Sequence, residues 1–296
     1  DVSGVGHSGK SAATDLLREV EGIYVPHFQF EFDLLRVPGG LLDLRRDVLT
    51  DWSPVRSHAA IHAFRDVVRK MGCNPSWWNF PGLAQSTSQR YDRQFRGRFT
   101  EYSERFVSSL VAAHYPAEWP YDDLRIGALH RFVRKILRRI GFRDHLRRKV
   151  LLVDAPDFDR RALEYLTNLY SGIVPSQTAF VVLNNGFEPF NPIPGLDMLA
   201  GSRQVVVTRD PRDVYVSGLN AANIAGADKA LIAFDNDGLN KSFLATDDMQ
   251  LFVQRLKIYY ARLYSGSDPR VLHIRFEDLV LDYERTVARL FDFLEI

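Results

Sequence analysis

A single cysteine, Cys73, stands in 296 residues, so no disulfide can close within the chain. That scarcity predicts a reducing, cytoplasmic setting. Long apolar runs are also missing. Stretches such as Phe180-Val181-Val182-Leu183 fall far short of the ~20 residues that span a bilayer. Lysine is rare, 7 against 31 arginines, and the net charge is only +1. The arginine preference suits planar recognition of phosphate or sulfate, yet a GC-rich coding sequence would produce it equally well, so it decides nothing. Internal repeats and low-complexity linkers are lacking too. What is present, 46% hydrophobic and 25% charged residues, is the make-up of a folded globular chain and excludes a disordered one. Residue 1 already lies within a glycine-rich motif, which predicts a truncated N-terminus and leaves open an upstream leader or anchor, hence a lumenal form.

Short β-branched strands alternate with helices at both ends of the chain. Strands are expected at the start, at Ile23–Val25, Val150–Val153, Ala179–Leu183, Gln204–Thr208 and Val271–Ile274. Helices are expected at Ala12–Glu21, Asp159–Tyr170, Pro211–Ala222, Met249–Tyr264 and Asp278–Leu294. This alternation predicts an α/β fold with a doubly wound, mainly parallel sheet. Between residues 34 and 149 no strand is evident. Helical periodicity at Ser57–Met71, Phe99–Ala113 and Ile126–Ile140 predicts a large helical insertion within one domain spanning 1–296.

Gly4-Val5-Gly6-His7-Ser8-Gly9-Lys10-Ser11 fits G-x-x-x-x-G-K-[ST] without a mismatch. Glycines let the backbone curl so that successive N–H groups face one anion, and the helix that follows adds its positive end. Gly6, His7, Ser8, Gly9, Lys10, Ser11 and Ala12 are therefore candidate contacts to a phosphate-bearing ligand. A nucleoside-triphosphate kinase would also need a carboxylate for Mg²⁺ on a neighbouring strand. Asp154, closing Leu151-Leu152-Val153, is the candidate for that role.

A second anion site is expected where Val205-Val206-Val207-Thr208 delivers Arg209 to a strand end, with Pro211 opening the next helix and Ser217 two turns on. An arginine fork and a hydroxyl could converge there on a second phosphate. An Arg209–Asp213 or Arg212–Asp213 ion pair is the alternative use of these residues.

With these segments in place, the chain resembles the sulfotransferases that use 3′-phosphoadenosine 5′-phosphosulfate (PAPS). Val5–Ser11 is similar to that family's 5′-phosphosulfate loop, and Arg209-Asp210-Pro211-Arg212-Asp213 with Ser217 to its 3′-phosphate motif. Leu272–Leu279 and Leu290–Leu294 are similar to its last strand and helix. The resemblance implies a P-loop fold, PAPS as co-substrate, 3′,5′-adenosine bisphosphate (PAP) as product, and no metal. It places His7 where the family usually carries lysine or arginine, and Lys10 where it carries threonine. Either could neutralise the leaving phosphate, and Lys10 holds its charge more securely. The family's glycine-rich basic loop after the last helix would fall beyond Ile296.

Sulfuryl transfer needs a group to take the acceptor's proton. The family places a carboxylate after the second strand, so Glu31 is the first candidate, followed by Asp33 and His27. The flanking Phe28, Phe30 and Phe32 would partly desolvate Glu31, although plain strand alternation explains the same pattern. A non-catalytic anion-binding module, suggested by His7, is a further alternative. Arg125–Lys149 holds ten basic residues and one acidic residue, Asp144. Its helical spacing predicts a buried face of Leu129, Phe132, Val133, Ile136 and Ile140 opposite a cationic face for an anionic glycan or lipid headgroups. Trp52, Trp77, Trp78, Tyr91, Phe95, Phe99 and Tyr102 are candidates for stacking on sugar rings or for core packing. Together these point to a carbohydrate or glycolipid acceptor. No nucleic-acid module accompanies the basic stretch.

Overall fold

The computed structural model describes residues 1–27, 30–72, 91–119, 121, 127–141, 146–227 (221–227 by backbone alone) and 248–296. Its strands are β1 (Val2–Gly4), β2 (Ile23–Tyr24), β3 (Val111–Glu118), β4 (Arg147–Val153), β5 (Phe180–Val181), β6 (Gln204–Thr208) and β7 (Val271–Arg275). β6 runs parallel between β1 and β7, and β2 pairs in parallel with β5. The two ladders meet just past β5. Val2 N–H donates to the Leu183 carbonyl, and Asn185 N–H to that of Val2, each at 2.9 Å. The parallel strands thus lie in the order β2, β5, β1, β6, β7. β6, at Gln204–Thr208, is buried along its whole length, which is why it reads as an apolar run without alternation.

The first helices are α1 (Lys10–Arg18), α2 (Leu41–Arg45), which continues into a π-helical turn at Arg46–Thr50, and α3 (Pro54–Gly72). Then come α4 (Tyr91–Gln94), α5 (Phe99–Leu110), α6 (Ala128–Arg139), α7 (Phe158–Ser171) and α8 (Ile193–Met198). Last are α9 (Pro211–Ala227), α10 (Met249–Leu263), α11 (Phe276–Leu281) and α12 (Tyr283–Leu294). The largest apolar cluster runs from Phe30 through α2, α3, α4 and α5 to α7 and Leu199. A second fills the space between the sheet, α1 and α12, with Ala13, Leu17, Val205, Ile274 and Leu290. A third joins Val5 to Val214, Phe252 and Leu256, seating α9 and α10 on the glycine loop.

Several elements depart from expectation. The stretch 34–149 contains a strand after all: β3 pairs antiparallel with β4, with an irregularity between Val111 and Ala113. Residues 112–116 of β3 are exposed and Pro116 lacks an N–H, so no apolar alternation betrays this edge strand. The helix expected over Phe99–Ala113 stops at Leu110 to make room for it. β4 consequently belongs to a hairpin and not to the parallel sheet. The closing helix is split at Asp282 into α11 and α12. Helix α6 buries none of its residues. The face predicted to be internal is exposed, with Leu129 at 73% and Phe132 at 61%. Among the aromatics, Tyr91, Phe95 and Phe99 are fully buried core residues and cannot stack on a sugar. Trp52 is half exposed, with its indole N–H on the Val153 carbonyl. Phe28, Gln29, Cys73, Trp77, Trp78, Arg125 and Asp144 lie outside the described residues.

Candidate functional site

β1 ends at Gly4, and the chain turns back on itself before α1 begins at Lys10. Ser8 N–H bonds the Val5 carbonyl at 3.0 Å. His7 (φ 62°) and Gly9 (φ 81°) adopt the left-handed conformation. Two glycines are required by close approach. A Cβ at Gly4 would stand 2.5 Å from the Val207 carbonyl oxygen, and one at Gly9 2.8 Å from Phe276 Cγ. Ser8 is buried and its hydroxyl has no hydrogen-bond partner. In the first turn of α1, Ala12 N–H bonds the Gly9 carbonyl at 3.0 Å, while the N–H groups of Lys10 and Ser11 open the helix with no intrahelical carbonyl to bond. The loop therefore presents a hydroxyl and helix-start donors at the end of a parallel sheet, where α/β proteins bind anionic ligands.

Lys10 reaches from the first turn of α1 to two acceptors at 2.7 Å, Glu31 Oε1 and Asn184 Oδ1. Asn185 Nδ2 donates to the same Glu31 oxygen at 2.8 Å, and Arg36 lies 3.8 Å from the other. Burial pulls the Lys10 ammonium below the ordinary lysine range, and Glu31 draws it part of the way back. The Glu31 segment is pinned by three hydrogen bonds. Tyr91 OH donates to the Glu31 carbonyl, Asn184 Nδ2 to that of Phe30, and Phe32 N–H to that of Asn184. Phe30 and Phe32 turn into the core, so the carboxylate is surrounded by cationic and amide donors and not by rings. Asp33 is buried and accepts two bonds from Arg36, at 3.1 and 2.8 Å. His27 is exposed. Of the three candidate bases, Glu31 is joined to the glycine loop by its hydrogen bond from Lys10.

Arg209, delivered by β6, lies beside this loop. Its guanidinium sits 4.7 Å from the centroid of the Phe276 ring, the ring that also bears on Gly9. Its Nε is buried without a hydrogen-bond partner and makes a long ion pair with Asp213 at 3.9 Å, the alternative contact expected from the sequence. Arg212 pairs with Asp210 at 2.6 Å, not with Asp213. Burial, and then the Arg209 charge, push the His7 imidazole below its ordinary value, which leaves it neutral at pH 7. Ser217 is half-buried on α9, one turn beyond Val214, which packs with Val5. It therefore shares the side of α9 that faces the loop.

Asp154, the candidate metal ligand, is exposed at the end of β4, in the hairpin with β3. On the side of β1 away from β6, the chain just past β5 bridges to Val2 through Asn184 and carries Asn185 next to it, two neutral amides. Reading the sequence missed both of them, as well as Arg36 and the ring of Phe276. An asparagine pair just past an apolar run was the available signal.

The architecture is therefore a mixed α/β protein whose glycine loop, at the end of a parallel sheet, faces an arginine from the neighbouring strand. Residues 196–296 match the model of the sulfotransferase family. The matched stretch holds Arg209, Ser217 and Phe276, whereas the glycine loop and Glu31 lie outside it. No curated protein and no solved structure is found to match the chain.

Proposed function

We propose that this chain is a P-loop sulfotransferase that passes a sulfuryl group from PAPS to a hydroxyl or amine of an acceptor. One observation carries the reading: the Phe276 ring is shared between Gly9 of the first anion cradle and Arg209 of the second. Two cradles that meet at one side chain suit the two ends of a single bisphosphorylated nucleotide. The residues fit such a donor, because each cradle holds a buried polar atom without a hydrogen bond, Ser8 Oγ in one and, in the other, Arg209 Nε, whose ion pair with Asp213 is a long 3.9 Å. Desolvated donors without partners are costly unless a ligand completes them.

When bound, the donor supplies the sulfuryl group and a bisphosphate that leaves. The chain's own residues do the rest. Ser8 and the N–H groups of Lys10 and Ser11 hold the 5′ end, and Arg209 with Ser217 holds the 3′-phosphate. Lys10 balances charge developing on the leaving oxygen, an interaction strengthened by partial burial. Glu31 accepts the acceptor's proton, and Asn184 and Asn185 orient Lys10 and Glu31. Neutral amides beside β1, where a kinase would carry a Mg²⁺-binding carboxylate, favour this chemistry over ATP-dependent transfer. With Tyr91, Phe95 and Phe99 in the core, the acceptor class rests on the screen below.

Thermal unfolding with nucleotides tests the donor. PAP without Mg²⁺ should raise the midpoint by several degrees, since ligand at a hundredfold over Kd contributes about 2.7 kcal/mol. Stabilisation by ATP with Mg²⁺ and none by PAP would instead establish a kinase. Transfer of ³⁵S from labelled PAPS to glycans, glycolipids and small hydroxyl compounds then identifies the acceptor. Tight PAP binding with no transfer to any of them would indicate a binding module.

A further inference from the structure

Helix α6 is unlike every other long helix described. Its 12 residues include no buried one, and no carboxylate occurs between Ala128 and Ile140. Leu129, Phe132, Val133, Ile136 and Ile140 recur at intervals of three and four, and are 73%, 61%, 46%, 43% and 59% exposed. Arg131, Lys135 and Arg139, each one turn apart and all exposed, form a cationic row along one edge of this stripe. Arg134, Leu137 and Arg138 are only partly exposed and mark the side turned toward the body. On that side Arg138 bonds Glu118 of β3 at 2.9 Å. The helix is thus tethered by its polar back, with the apolar stripe and its cationic edge facing outward. On folding energetics alone this orientation is unfavourable, because the stripe forgoes burial it could have had.

We infer that α6 seats the protein on an anionic lipid bilayer, lying in the plane of the headgroups with Phe132 and Ile136 dipping between them. The pairing of charges selects this occupant. A stripe edged only by cations complements a negatively charged interface, while a second copy of α6 would bring like charges together with no carboxylate to offset them. Burial of the stripe supplies the salt-resistant part of the affinity, and the cationic row the salt-sensitive part. This inference does not depend on the reaction the chain catalyses.

The test is co-sedimentation of the chain with vesicles of phosphatidylcholine alone and of equal parts phosphatidylcholine and phosphatidylserine. Binding is expected to the second and not the first, and to weaken as salt is raised. Replacing Arg131, Lys135 and Arg139 together by Gln should weaken binding about a hundredfold, from the usual contribution of each cation near such a surface. Phe132→Ser with Ile136→Ser should remove what binding persists at high salt. Phe132→Trp should show a blue-shifted emission with the mixed vesicles. All five positions are solvent-exposed, and unchanged thermal midpoints would confirm that the variants fold. The inference is overturned if the chain stays in the supernatant at low salt, or if all variants sediment like the parent. It is equally overturned if the Trp emission does not move, or if the stripe proves to hold two copies together, with Phe132→Ser/Ile136→Ser turning a dimer into a monomer.

Discussion

Glu31 and His7 show how neighbours decide what a side chain can do. Glu31 accepts hydrogen bonds from Lys10 and Asn185, so Glu31→Gln keeps the shape and removes the proton acceptor. Turnover should fall at least a hundredfold, the usual contribution of a positioned base. PAP should bind as well or better, since an anionic competitor for Lys10 has gone; near-parental turnover would eliminate Glu31 as the base. His7 is depressed by burial and by Arg209, and a phosphate placed beside it would favour the protonated form. With the pKa higher in the complex than in the free protein, binding takes up a proton in the window between the two. The affinity for PAP should therefore rise as pH falls through the pKa of the complex toward the depressed value of the free protein. The ligand's own phosphate titrates near 6 and opposes this trend, but it does so identically in His7→Asn. Calorimetric titration should show that the variant lacks the part of the pH dependence belonging to His7.

At the scale of elements, the glycine loop depends on the strand ends that surround it. Gly9 carries a positive φ and faces the Phe276 ring at the start of α11. Gly9→Ala adds left-handed strain of about 1–2 kcal/mol and a Cβ in space the ring occupies. The ring cannot yield freely, because Arg209 lies over it. We expect the variant to stay folded with a lowered midpoint and to lose more than tenfold in affinity for PAP, measured by thermal shift. An unchanged affinity would show that the loop is not the cradle. Much of this element was legible in the sequence, since turn geometry, helix start and the apolar run of β6 are local properties. β3 was not, because its side chains face solvent and only pairing with β4 defines it. Asn184 and Asn185 were not either, for their meaning depends on β5 lying beside β1, a long-range fact.

Across the whole molecule, patterns that depend on burial were read well where both faces are covered and poorly where one is open. The buried β6 follows from its apolar run, and the helices α1, α5 and α7 from their helical pattern. Helix α6 has the same periodicity with the opposite outcome, because an amphipathic pattern fixes which residues share a face but not what that face meets. Among the described residues no helix is long and apolar enough to cross a membrane. Tyr91 belongs to both descriptions. Its ring packs among Phe30, Phe95 and Phe99 while its hydroxyl holds the Glu31 backbone, so the largest core cluster directly supports the candidate base.

The contact between Lys10 and Glu31 has a consequence for selectivity. The site carries its own counter-ion, so an incoming anion must compete with a tethered carboxylate already 2.7 Å from the ammonium. A lone inorganic sulfate or phosphate gains one grip in exchange and gains little. A ligand held at a second point as well enters that competition at high effective concentration, which makes the resident carboxylate a discriminator against the small oxyanions abundant in any aqueous compartment.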